Sequence, residues 1–232
     1  MKKTLTLLIV LSALCSILAA CSPAAPALDG GSASLAPAAS PTPTASPAPA
    51  ATPGPVELRK GVEAMMPILD SILNTMGMTD TTPYAPKDAD FFWSVLYLTG
   101  VNWGHTHPLI EYNNVHAIIP SQVMQEFASA AFRDYDDLLP LPQSFEDAMQ
   151  YDDGLDAYLL ALSDRGDSST TLDSVEANAD GSVTALVSLH IAPDAFWGTM
   201  EFNLAANPYA EAISEPTYLY TVQDAKLVKA PG

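Results

Sequence analysis

The chain has 232 residues, with 27 acidic against nine basic side chains and a formal charge of −18 at pH 7. A surface this acidic repels polyanions, which excludes nucleic acid as a partner. The two cysteines cannot build a multi-disulfide framework, so any folded part must be held by its apolar core.

Residues 1–21 have the three parts of a secretory signal: Lys2 and Lys3, an apolar run from Leu5 to Leu18, then small residues before Cys21. The run is shorter than the roughly 20 residues a membrane-spanning helix needs. Leu18-Ala19-Ala20-Cys21 resembles the lipobox of bacterial lipoproteins at all four positions. The resemblance implies that Cys21 takes a diacylglyceryl thioether and becomes the new N-terminus. It also implies a mature chain tethered by that lipid to the extracytoplasmic face of the bacterial cell membrane. An ordinary signal peptide cleaved near Ala20, with Cys21 left free, is the alternative. Cys15 lies in the segment to be removed, so the mature chain would keep one sulfur and neither an intramolecular disulfide nor a catalytic thiol. It would carry seven basic against 27 acidic residues, a formal charge of −20, so the lipid rather than a basic patch must hold it to an anionic membrane.

Residues 22–55 are almost entirely Pro, Ala, Ser, Thr and Gly, with Asp29 the one charge. Such a segment cannot bury enough apolar surface to fold, and it favours extended polyproline II. At about 3.1 Å per residue it reaches on the order of 100 Å, a tether that lifts a domain off a membrane. A glycosylated stalk has the same composition.

Residues 56–232 are enough for one domain with a single core. Leu58, Val62, Met65, Met66, Leu69, Ile72, Leu73 and Met76 recur at spacings of three and four, which predicts one amphipathic helix stopped by Gly77. Pro86 opens a second, with Asp88 and Asp90 in its first turn, running through Phe91–Leu98 and ending at Gly100. Ser121 after Pro120 reads as the N-cap of a third, burying Val123, Met124, Phe127, Ala131 and Phe132. From Leu155 the period becomes two. Tyr158, Leu160 and Leu162 mark a strand, and Asp164-Arg165-Gly166-Asp167 a turn. Leu172–Ala177 and Val183–Ile191 flank Asn178-Ala179-Asp180-Gly181 as a hairpin, followed by strands at Met200–Leu204 and Tyr218–Val228. Helices first and an antiparallel meander after them predict an α+β fold with helices packed on one sheet face. The element order resembles the cone-shaped NTF2-like and cystatin-like domains, in which a curved sheet wraps a helix.

The densest chemistry lies in Asn102–His116. His105 and His107 would project to one face of an extended strand, with Glu111 or His116 as a third ligand to a metal. The competing reading is a polar loop whose histidines satisfy backbone groups or face solvent. Amidohydrolases that open with such a His-x-His pair need a barrel larger than this domain, and cell-wall zinc endopeptidases need an earlier histidine, which the chain lacks. No Gly-x-Ser-x-Gly elbow, Ser-x-x-Lys pair or glycine-rich phosphate loop occurs. The acidic stretch from Asp134 to Asp156 does not match a twelve-residue calcium loop and reads as a solvated connection. Arg165-Gly166-Asp167 resembles an integrin-binding tripeptide but equally suits a turn. Trp103, Tyr112, Trp197, Tyr209, Tyr218 and Tyr220 could include a platform for stacking sugars or peptides.

These observations lead to a lipid-anchored envelope protein with a non-catalytic binding domain and no cofactor. Its ligand-binding residues would be Trp103, His105, His107, Glu111 and Tyr112, and its partner a protein, peptide or glycan. A metal-dependent hydrolase using His105 and His107, and an inhibitor or accessory protein of a cell-wall enzyme, are the alternatives.

Overall fold

The computed structural model describes residues 54–78, 83–163, 166–191, 195–210 and 216–229. The lipobox, nearly all of the Pro/Ala-rich tether, and Asp164 and Arg165 lie outside the described residues. The chain divides into a unit of Met1–Pro49 and one of Ala50–Gly232, and every described residue belongs to the second.

The fold is α+β, with helices preceding a four-stranded antiparallel meander. The helix expected over residues 58–76 is two helices, α1 (Pro55–Ala64) and α2 (Met66–Met78). Pro67 explains the break: it has no N–H to donate and its ring crowds the carbonyl of Glu63. The chain turns tightly there, with Met65 N donating to Val62 O at 2.9 Å, and a new ladder starts from Met65 O. α1 buries only one face, through Leu58 and Val62, whereas α2 is buried from Ile68 to Met76. Its buried hydroxyls bond back into the helix, Ser71 to Pro67 O and Thr75 to Ser71 O, both at 2.8 Å.

The second expected helix, α3 (Ala89–Trp103), starts later and ends later than its punctuation suggests. Asp88 caps it, accepting from Phe91 N at 2.9 Å. Gly100 does not end it. A Cβ there would lie 2.7 Å from Leu160 Cδ2 and closer still to Ile119 Cδ1, so this glycine lets the helix approach the sheet beside it. α4 (Ser121–Ala131) begins where expected, but Ser121 is its first helical residue rather than its cap, and Ser121 N donates to Asp156 O at 2.9 Å.

Two sheets flank these helices instead of one. The first has the order β1-β2-β4-β3, with β1 (Glu111–Tyr112), β2 (His116–Pro120), β3 (Met149–Asp152) and β4 (Ala157–Ala161), all antiparallel. The second is the expected meander of β5 (Ser168–Ala177), β6 (Val183–Ile191), β7 (Phe196–Ala206) and β8 (Tyr220–Lys229). Its first hairpin closes where predicted, with Asn178 N donating to Ser182 O at 2.8 Å and Gly181 at φ +86°. α3 meets β2 and β4, α2 meets β5, β6 and β7, and α4 touches both sheets. The core joins Ile68, Leu69, Ile72 and Leu73 of α2 to Val187 and Leu189 of β6 and Phe202 and Leu204 of β7. Among the described residues, no helix is long and apolar enough to cross a membrane.

Candidate functional site

The residues expected to form a site do not converge. His105 is exposed in a 3-10 turn (Gly104–Thr106) that continues α3, so it and His107 do not share the face of a strand. His107 folds back onto α4, its side chain only 8% exposed, with its ring edge-on to Phe127. Its Nδ1 accepts from Leu109 N at 3.3 Å, which directs Nε2 toward Glu126 Oε2 at 3.6 Å. Glu111 is exposed on β1. Tyr112 lies over the end of α3, its hydroxyl 3.4 Å from Gly100 O, and partial burial raises its phenol above the ordinary tyrosine value. Among the described residues, no three His, Cys, Asp or Glu side chains gather closely enough to hold a metal ion.

Trp103 points inward. Its Nε1 donates at 2.8 Å to Asp70 Oδ2, and Asp70 is completely buried on α2. The other oxygen, Oδ1, accepts from Thr170 Oγ1 of β5 at 2.9 Å and from Asn74 Nδ2 at 3.1 Å. These bonds tie α2, α3 and β5 together, and they explain how a carboxyl group sits among core leucines.

A larger concave surface lies elsewhere, along one flank of α4. Ser121, Gln125 and Ser129, spaced one helical turn apart, form its floor. One half, of about 430 Å³, is walled by Leu138–Leu141, Trp93, Tyr151, Tyr158 and Asp156. The other, of about 400 Å³, is walled by Arg133, Tyr135, Asp136 and Asn207–Tyr209. Both halves share Gln125 and Asp137 as lining residues, so they adjoin along α4 as two parts of one groove. Each is of the size that holds a small organic ligand.

Tight local contacts shape its walls. The segment after α4 is pinned by Trp93 Nε1, which donates to Leu139 O at 3.1 Å and Pro140 O at 3.2 Å. The Tyr158 ring lies 5.3 Å from that of Trp93 and 5.0 Å from that of Tyr151, tilted against each. The β3–β4 turn is organised by Asp152, whose Oδ1 accepts from Gly154 N and Leu155 N, and by Asp156, whose φ of 49° is unusual for a non-glycine residue. Tyr151 Oη donates to Asp156 Oδ1 at 2.6 Å. That bond, with a second from Ser121, holds the Asp156 carboxyl below the usual aspartate value, and the same bond pushes the Tyr151 phenol up to about 12. Burial, then the charge of Asp137, raises the phenols of Tyr135 and Tyr158. Near neutral pH Tyr135, Tyr151 and Tyr158 are therefore protonated phenols and Asp156 a carboxylate.

None of Trp103, His105, His107, Glu111 and Tyr112 lines this groove, and of the aromatic residues marked in the sequence only Tyr209 does. Trp93, Tyr135, Tyr151 and Tyr158 were missed as site residues. A signal existed: serine and glutamine at positions 121, 125 and 129 make a polar stripe beside the apolar face of Val123, Met124 and Phe127. Comparison of the chain with protein-family models, with curated proteins and with solved structures finds no match.

Proposed function

We propose that this is a lipid-anchored extracytoplasmic binding protein, tethered to the cell membrane through Cys21, that captures a ligand in the groove along α4. The address rests on Leu18-Ala19-Ala20-Cys21 behind Lys2, Lys3 and an apolar run. The groove carries the binding role: its polar floor, aromatic walls and excess carboxylate suit reversible capture of an uncharged or cationic ligand. Within the histidine segment, His107 packs onto α4, its ring against Phe127 and its Nε2 toward Glu126.

Two measurements test this. Cells fed labelled palmitate should incorporate label into the wild-type chain and not into Cys21→Ser, and equal labelling of both refutes the anchor. A fragment screen by ligand-observed NMR should find binders to the wild-type protein that are lost in Gln125→Trp, which fills the groove where its halves meet. An identical set of binders in both proteins, or none in either, refutes the groove.

A further inference from the structure

We infer that the groove along α4 binds a neutral oligosaccharide, an assignment that rests on the groove being the binding surface. Its dimensions suit a chain of sugar rings. Ser121 and Ser129 are eight residues apart, about 12 Å of helix. Tyr151, exposed over 44% of its surface, and half-buried Tyr158 stand at one end, with Tyr135 and Tyr209 at the other. A phenol face stacks on the apolar C–H face of a pyranose, and one such platform in each half of the groove offers two stacking positions to a linear glycan.

Polar groups between the platforms match the rest of the sugar. The carboxylates of Asp136, Asp137 and Asp156 accept from vicinal hydroxyls, while the Gln125 and Asn207 amides can both donate and accept. The same carboxylates exclude acidic sugars and phosphates, since Arg133 is the one cation among the described residues lining the channel.

An extended peptide fits less well. Its backbone would need a free strand edge, whereas the floor here is a helix whose backbone groups are already paired and the edge strand in the wall, β3, has only four residues. A helical peptide would need an apolar trough, whereas this floor is serine and glutamine.

The test titrates the full chain, solubilised in detergent, with chitotetraose, cellotetraose and tetralysine by calorimetry. At least one tetrasaccharide should saturate in the millimolar range or below, with little dependence on salt. Tyr151→Ala should weaken that binding about tenfold, a loss of about 1.4 kcal/mol, and Tyr209→Ala should also weaken it. Tyr151→Phe, which keeps the ring but loses the bond to Asp156, should weaken it less than Tyr151→Ala does. Saturation by tetralysine alone, abolished by salt, would leave the groove a binding surface and overturn the sugar. Failure of all three probes would overturn both readings. Saccharide binding untouched by Tyr151→Ala and Tyr209→Ala would place the sugar elsewhere and overturn the assignment.

Discussion

Gly100→Ala sets two effects of known sign against each other. In an exposed helix interior this change stabilises by about 1 kcal/mol, because alanine is the better helix former. Here the added methyl would stand 2.7 Å from Leu160 Cδ2 and closer still to Ile119 Cδ1. Both partners are fully buried, so neither can swing into solvent. Overpacking of this kind costs about 1–3 kcal/mol; with two buried contacts this short the upper part of that range, about 2–3 kcal/mol, applies, and the packing cost should win by about 1–2 kcal/mol. For a domain of this size that lowers Tm by roughly 2–8 °C. Denaturant unfolding of the mature chain, followed by far-ultraviolet circular dichroism, measures the difference. Ile119→Val removes the offending Cδ1 and by itself costs about 1 kcal/mol. The double variant should therefore lose at least 0.5 kcal/mol less than the sum of the single losses, a coupling resolvable by a mutant cycle. A Gly100→Ala protein more stable than wild type, or a strictly additive double variant, would refute the close approach of α3 to β2 and β4.

Asp70→Ala removes the acceptor that the Trp103 indole N–H and the Thr170 hydroxyl share and leaves a small cavity; the expected loss is about 3 kcal/mol in denaturant unfolding, and a change near zero would remove the tie between α2, α3 and β5. The phenols of Tyr84, Tyr135 and Tyr218 are raised above the ordinary tyrosine value, chiefly by burial. Their contribution to stability is thus present below the ordinary value near 10 and is lost as pH rises toward the higher folded values. Ultraviolet titration should show these phenols ionising together with loss of structure, not before it. Asp156 has the opposite sign: its folded value is lowered by Tyr151 and Ser121, so its contribution is present above the ordinary aspartate value and is lost as pH falls through the lower folded value. Asp156→Asn should flatten the acid limb of the stability profile, and an unchanged limb would show that the Tyr151 bond contributes nothing.

The parts of the fold legible in the sequence are those where one physical signal dominates. The meander reads out because Val183, Ala185, Val187 and Leu189 alternate cleanly and Asp180-Gly181 supplies the positive φ of its turn. Breaks and ends read poorly. Apolar spacing runs unbroken through Pro67, so periodicity hides the break that the missing N–H creates. Gly100 looks like a helix stop because local propensity cannot distinguish a terminator from a residue chosen for lack of a side chain. β3 escaped because Met149-Gln150-Tyr151-Asp152 is too short and too polar to show alternation, and its pairing with β4 is what makes it a strand. The groove was the least legible. Its walls come from the start of α3, α4, the 133–141 segment, the β3–β4 turn and the Asn207–Tyr209 corner, which no single stretch of sequence brings together. The histidines misled for the converse reason: their nearness in sequence suggested a shared site, while a helical turn sends them in different directions.

The buried carboxyl of Asp70 bears on how the chain folds. Its partners Trp103 and Thr170 lie 33 and 100 residues away, so the site is complete only when the second sheet has docked. An intermediate made of packed helices alone would hold that carboxyl in a dry interior without the β5 hydroxyl. Partial structure of that kind is penalised, which favours helices and meander forming together.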